Sequence, residues 1–295
     1  MTKCAVIDLG SNSIRMGFFE KKNGNLVQTE RFREQVRISE GLASDNLLKD
    51  EPVKRTLSAI KRFKGIIDQR DIKNVKIVAT EALRRANNSD VFTSLVKKDF
   101  GIDVLIIDGL KEAEYDVLAA KMSAEYESFY MIDTGGGSVE IALVCENKIK
   151  EAVCLPLGSV VMTENFGTDR QSAENLEIFI ESELKKTGII VKNSFPVVAL
   201  GGSNKELAKI GLCDESETNI DGYKMSVQNA KDIYKKLKSM TFEERKSVKG
   251  LDVKRADTIV AGLCPIVTLL NLSGTTEICF CTGSVREGVA AGLLL

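Results

Sequence analysis

Asp8, Gly10 and Ser13 recur 125 residues later as Asp133, Gly135 and Ser138, in the stretches "AVIDLGSNSIRMGFFE" and "YMIDTGGGSVEIALVC". In both, an apolar run ends on Asp, a glycine-bearing turn follows, and a second apolar run begins after Ser. A tight turn of this kind gathers backbone N–H groups into a concave cluster that binds anionic oxygens. Glycine lets main chain come close to a ligand because it has no Cβ. The first turn offers Ser11, Asn12 and Ser13 to a phosphate; the second offers Gly135, Gly136, Gly137 and Ser138. Asp8 and Asp133 are hard oxygen donors beside the expected polyanion, which suits Mg2+ bound directly or through water. Alone, "DLGSNS" reads equally well as a structural turn between strands. "DTGGGS" is the stronger signal, since three consecutive glycines cost conformational entropy. A third turn, in "VALGGSNKELA", sets Gly201, Gly202 and Ser203 where a strand enters a helix, a place that favours anions.

Composition narrows the chemistry further. The 295 residues contain no histidine. That removes His-based zinc sites, Ser-His-Asp triads and His-Asp phosphohydrolase centres together. Acid–base work falls to Asp, Glu, Lys, Tyr or Cys. A net charge of −1 gives no basic footprint for nucleic acid, while leaving room for a local pocket for a small polyanion. The longest apolar stretch, "ADTIVAGLCPIVTLLNL", holds Asp257 and Pro265 and is short of a membrane span. The first apolar run meets Asp8 at once, so no signal-peptide core is expected. Seven scattered cysteines without a CxxC pair predict a reducing compartment, most simply the cytoplasm. Cys4, Cys145, Cys154 and Cys279 lie in apolar runs and read as buried thiols. The default oligomer is a homodimer, on general prevalence alone.

The elements that carry these residues form two similar halves. "CAVIDL" and "SIRMGFFE" read as strands, and an Asn-Gly turn leads to a third, "LVQTERFREQV". Leu57, Ile60, Phe63, Ile66 and Ile67 recur at helical spacing between about Pro52 and Asp68. "VKIVAT" and "IDVLIID" read as strands, followed by helices over "EALRRA" and "GLKEAEYDVLAAKMSAEY". The pattern then restarts. "FYMIDT", "SVEIALVCE" and "KIKEAVCLPLG" are three strands, and helices alternate with "FPVVAL" and "TEICFC" down to a last helix in "SVREGVAAGLLL". The expected organisation is an α/β chain of two domains, residues 1–127 and 128–295.

The sequence resembles the exopolyphosphatase/guanosine pentaphosphate phosphohydrolase (Ppx/GppA) family in its short, two-domain form. The likeness rests on "AVIDLGSNSIRM", "VATEALRRANN", "IIDGLKEAEY", "MIDTGGGSVEIALV", "LPLGSVVMTENF", "VALGGSNKELAKI" and "RADTIVAG…TGSVREGV". It implies two ribonuclease-H-like domains of the actin, heat-shock ATPase and sugar kinase superfamily, with a cleft between them. It also implies Mg2+-dependent release of terminal phosphate from inorganic polyphosphate, from pppGpp, or from both. By motif, Glu112 corresponds to the glutamate that helps activate the attacking water, and Glu140 to an acid at the reacting phosphate. Arg84 corresponds to a phosphate contact and Asp133 to the aspartate linked to the metal. The family segment usually has two adjacent acids where this chain has Lys111 before Glu112; Lys111 reads as a solvated helix residue or an extra phosphate contact.

Each of these residues also has a plainer reading. Glu112 could be a first-turn acid set against a helix dipole, Glu140 an outward strand residue, and Arg84 or Arg85 part of a solvated helix face. Two rival functions follow. A small-molecule kinase or ATPase of the same superfamily would use the glycine turns for a nucleotide. A non-catalytic sensor of pppGpp or polyphosphate would keep the turns and dispense with the acids.

Overall fold

Apolar residues on both sides of a strand demand cover on both sides. In the first strand Ala5, Ile7 and Leu9 enter one buried cluster. Cys4 and Val6 enter another, on the opposite face, as the two-residue period requires.

A computed structural model describes residues 3–212 and 219–294, with the side chains of 170 and 171 left aside. The chain runs β1 (Lys3–Leu9), β2 (Ser13–Lys22), β3 (Asn25–Gln35), α1 (Asp50–Gln69), β4 (Asn74–Ala79), α2 (Glu81–Arg85), α3 (Ser89–Phe100), β5 (Val104–Ile106) and α4 (Gly109–Ser123). It continues as β6 (Phe129–Thr134), β7 (Val139–Cys145), β8 (Lys148–Leu155), α5 (Ser159–Phe166), α6 (Arg170–Thr187), β9 (Val197–Gly201) and α7 (Gly202–Leu212). After these come β10 (Lys224–Ser226), α8 (Val227–Ser239), α9 (Phe242–Arg245), α10 (Ile259–Ser273), β11 (Glu277–Phe280) and α11 (Val285–Leu294).

Two compact units result. The described residues up to Tyr115, with those from Val285 onward, form the first; Asp116–Ser284 form the second. The first sheet has the order β3-β2-β1-β4-β5, an antiparallel meander continued by two parallel strands. The second has the order β10-β11-β9-β6-β7-β8. Its β8-β7-β6-β9-β11 portion repeats the first plan, and the short antiparallel β10 is added at the edge. β10 was not foreseen: its three residues are too few to show a period.

The division differs from the one expected. The last helix belongs to the first unit, not the second, and the boundary falls inside α4 rather than after it. The cause is packing. Val285, Val289, Ala290 and Leu294 of α11 cover Cys4, Val6, Phe19 and Val78 on one face of the first sheet. α1 and α3 cover the other face with Ile60, Phe63, Phe92 and Val96. In the second unit α10, apolar nearly throughout, is buried among α5, α6, α7 and α8.

Cys4 and Cys279 are buried, and burial pushes the Cys4 thiol up to about 11. Cys145 and Cys154 are only half-buried, against expectation. Among the described residues no helix is long and apolar enough to cross a membrane.

Candidate active site

In the first unit β1 and β2 pair so that Asp8 stands opposite Arg15 and Leu9 opposite Ile14. The Gly10 N–H closes the turn on the Ser13 carbonyl at 3.2 Å. The turn's own carbonyls are engaged elsewhere. Asn12 O accepts from the N–H groups of Val36 (3.1 Å) and Arg37 (2.9 Å), and Ser11 O accepts from Ser39 (3.3 Å). The N–H groups of Ser11 and Asn12 have no acceptor among the described residues. Side chains on β3 brace the turn: Gln35 donates to Asn12 Oδ1 at 3.2 Å, and Arg33 donates to Ser13 Oγ at 3.4 Å.

The second unit repeats this construction. Asp133 stands opposite Glu140 and Thr134 opposite Val139, and the Gly135 N–H closes on Ser138 O at 3.0 Å. Here the carbonyls are taken by the start of α5. Gly135 O accepts from Ser159 (3.0 Å), Gly136 O from Val160 (2.9 Å), and Gly137 O from Gly158 (3.2 Å). The N–H groups of Gly136 and Gly137 have no acceptor among the described residues. In both turns the carbonyls are drawn into the protein while two amides find no acceptor among the described residues. A turn of this form can take up an anion.

The strand registers set the charge beside each turn. Residues directly opposite in an antiparallel ladder share a face. Across β1, β2 and β3 the row is Asp8, Arg15, Arg33; across β6, β7 and β8 it is Asp133, Glu140, Cys154. Glu140 is 1% exposed and accepts a hydrogen bond from Cys154 Sγ at 3.0 Å.

Arg84 and Glu112 meet. Arg84 Nη1 donates to Glu112 Oε2 at 2.6 Å and to the Ile107 carbonyl at 2.9 Å. Its Nη2 donates to Glu81 Oε2 at 3.1 Å. Both side chains are largely buried. Arg84 is thus not part of the solvated helix face of its plainer reading, whereas Glu112 keeps the first-turn place that its plainer reading gave it. Arg85 turns away toward Asn46. Glu112 sits in the first turn of α4, whose start is fixed by Asp108 accepting from the Lys111 N–H at 2.7 Å. Lys111 itself pairs with Glu114 at 2.7 Å and lies over the Tyr115 ring, so its ammonium is a surface group. The Glu114 carboxylate holds the Lys111 ammonium above its usual range.

At the third turn the expected residues divide. Gly201 adopts a φ of +89°, and a Cβ there would lie 2.4 Å from Asp133 Oδ1. Its bare backbone is what lets the Asp133 carboxylate occupy that place. A Cβ on Gly202 would lie 2.1 Å from Arg255 Nη2, so a buried guanidinium rests on the start of α7. Ser203, by contrast, is 1% exposed and packs against Gly262 of α10. Its hydroxyl faces the interior, unlike the expected phosphate contact.

Five residues at these sites escaped the sequence reading as site residues: Arg15, Arg33, Cys154, Arg255 and Gly158. Arg15 had a local signal, since it lies two residues beyond Ser13 on a strand and so shares its face. Gly158 had only its place in "LPLGSV"; a Cβ there would lie 2.3 Å from the Gly137 carbonyl carbon.

Comparison with known proteins finds relatives along nearly the whole chain. The model of the Ppx/GppA phosphatase family matches residues 18–295. A guanosine-5'-triphosphate,3'-diphosphate pyrophosphatase of Vibrio vulnificus is 27% identical over 97% of this chain and 58% of its own length. A Haemophilus influenzae protein provisionally named an exopolyphosphatase is 28% identical over 98% of this chain and 90% of its own. The crystal structure of the Aquifex aeolicus Ppx/GppA family member superposes with a TM-score of 0.85 at 28% identity, covering 99% of this chain and 97% of that one. The chain spans 46–58% of the length of the first curated relatives it matches. The α/β fold of two ribonuclease-H-like, actin-like ATPase units is the one these matches share.

Proposed function

The chain belongs to the Ppx/GppA phosphatase family, and on that premise we propose that it is a Mg2+-dependent phosphoanhydride hydrolase. Its substrate class is inorganic polyphosphate, pppGpp, or both, with terminal phosphate released by water. The observation that carries this reading is the paired cradle: two turns of the same hydrogen-bonded form, each leaving two amides without an acceptor among the described residues. Phosphoryl transfer to water asks a protein for little covalent chemistry. It asks for positioning, an acceptor for the water's proton, and neutralised charge.

The residues divide that work. The amides of Ser11, Asn12, Gly136 and Gly137 donate to phosphate oxygens, and Arg84 adds a guanidinium. Glu112 accepts the proton of the attacking water; Arg84, bonded to its Oε2 at 2.6 Å, fixes the carboxylate's orientation. Glu140 faces the reacting phosphate.

Among the described residues no three His, Cys, Asp or Glu side chains form a metal cage. That suits Mg2+, which keeps several waters and is held by one or two carboxylates together with substrate phosphates. Asp133 is the better ligand, because the residue opposite it is another carboxylate and the pair gains by sharing a cation. Asp8 contributes less, since Arg15 stands opposite it. Bound there, Mg2+ supplies charge neutralisation of the phosphates.

Against a kinase or ATPase reading stands the water-activating position, a Glu on a helix that follows a strand in the first unit, and a non-catalytic sensor has no need of Glu112 and Glu140. The test is phosphate release from short polyphosphate, long polyphosphate and pppGpp, with and without exhaustive EDTA treatment. Release from at least one substrate, abolished by EDTA and restored by Mg2+, is expected. Full activity after chelation overturns the metal assignment, and tight binding with no release in Mg2+ overturns the enzyme.

A further inference from the structure

We infer that Cys154 is a positioning residue for Glu140, its thiol holding the carboxylate in its working orientation through a hydrogen bond to Oε1. The inference rests on the reading that Glu140 acts at the reacting phosphate. Cys154 lies on β8 directly opposite Glu140 on β7, so the two side chains share a face of the sheet. The donor–acceptor distance is 3.0 Å.

The environment of Glu140 explains why such a donor matters. The residue is 1% exposed, so its carboxylate is deprived of most of the water that would otherwise solvate it. A buried polar group is costly unless hydrogen-bonded. Its neighbour across the other ladder is Asp133, a second carboxyl group. On the other neighbouring strand Cys154 offers the glutamate a donor, at Oε1. A glutamate side chain has three rotatable bonds, and a bond at Oε1 removes much of that freedom. Cys154 is half-buried, on the edge strand β8 of its sheet.

The experiment is a mutant cycle read by steady-state phosphate release. Cys154→Ala and Cys154→Val remove the donor, Cys154→Ser retains one, and Glu140→Gln removes the carboxylate. Loss of one hydrogen bond from a weak S–H donor, worth no more than a typical bond, predicts a fall in kcat of about three- to tenfold for Cys154→Ala, with KM little changed. Cys154→Val keeps strand propensity and should behave alike, which guards against a variant that merely folds poorly. Cys154→Ser should recover most of the loss. In the Glu140→Gln background the Ala substitution should have no further effect, because the two residues act as one unit. A Cys154→Ala loss that persists undiminished in that background, or that Ser does not rescue, overturns the proposal. So does an unchanged kcat in both Cys154→Ala and Cys154→Val while Glu140→Gln is inactive, an outcome that leaves the wider reading standing. If Glu140→Gln itself keeps parental turnover, the wider reading of Glu140 fails and the proposal with it.

Discussion

The turn after β1 and the turn after β6 share a backbone and differ in what surrounds it. Each closes with a glycine amide on a serine carbonyl, at 3.2 Å and 3.0 Å, and each gives up its carbonyls to a segment farther along the chain. Beside the first turn the ladder places Arg15 and Arg33 next to Asp8. Beside the second it places Glu140 and Cys154 next to Asp133. One row carries two guanidinium groups beside a carboxyl; the other carries two carboxyl groups and a thiol. A single turn geometry is thus given two different electrostatic settings, and the choice is made by residues on neighbouring strands rather than by the turn itself. On the proposed function, the first setting complements phosphate oxygens and the second suits a cation.

The largest test of this division is Glu112, which the first unit holds against Arg84. Glu112→Gln keeps the shape and an oxygen for Arg84 but removes the proton acceptor. Turnover should fall by about 10²–10⁴-fold, the usual worth of a general base. Polyphosphate affinity should hold or rise, since one negative charge near an anion is lost. Thermal unfolding measured alongside separates chemistry from misfolding. A well-folded variant with near-parental turnover would move the water-activating role out of the first unit, with Glu140 the next residue to examine.

A second test sets the two aspartates against each other. If the acidic row holds the metal, Asp133→Asn should raise the Mg2+ concentration for half-activation by about 10–100-fold. Asp8→Asn should raise it by only about threefold, because Arg15 already offsets that carboxylate. Equal shifts for the two variants would mean that the turns are equivalent after all, and that the charge rows do not decide the metal's place.

Much of this was legible beforehand, for identifiable reasons. Asp8, Ser13, Asp133 and Ser138 show because strand–turn–strand signals are local. Glu112 and Arg84 show because each follows a strand at a helix start. That they would meet at 2.6 Å does not follow from spacing, since 28 residues and another strand separate them. Arg33 and Cys154 were missed because they face the turns only through strand register, and a shift of one residue would turn either to the other face. The return of α11 to the first sheet was missed because a helix carries no mark of which uncovered face it will pack on. The burial of Ser203 was not legible because a glycine pair before a helix suggests an open anion site, and nothing nearby in sequence reveals Gly262 packing against it.

The finest distinction between the turns is steric, and two glycine-to-alanine variants resolve it. Gly158 has φ −66° and ψ 155°, a conformation any residue adopts, so backbone strain does not require glycine there. Space does. An alanine Cβ would lie 2.3–2.5 Å from backbone atoms of Gly137 and Gly136, which have no side chain to move aside. Gly158→Ala must therefore push the triple-glycine loop away, at about 1–3 kcal/mol of stability by the usual cost of overpacking. Its amides would leave their positions as the loop shifts, so phosphate release should fall with the melting temperature. Gly10, in the first turn, would place a Cβ 3.4 Å from the Ser13 carbonyl, an ordinary contact, and its φ is not positive. Gly10→Ala should be neutral or stabilising by about 0.4–1 kcal/mol, because alanine restricts the unfolded chain. Paired thermal melts and phosphate-release assays read both at once. A Gly158→Ala protein with parental stability and turnover would show that the second loop is not pinned by close backbone packing. A damaged Gly10→Ala would show that the first loop needs the same bare approach to its ligand, and the steric half of the contrast would be lost.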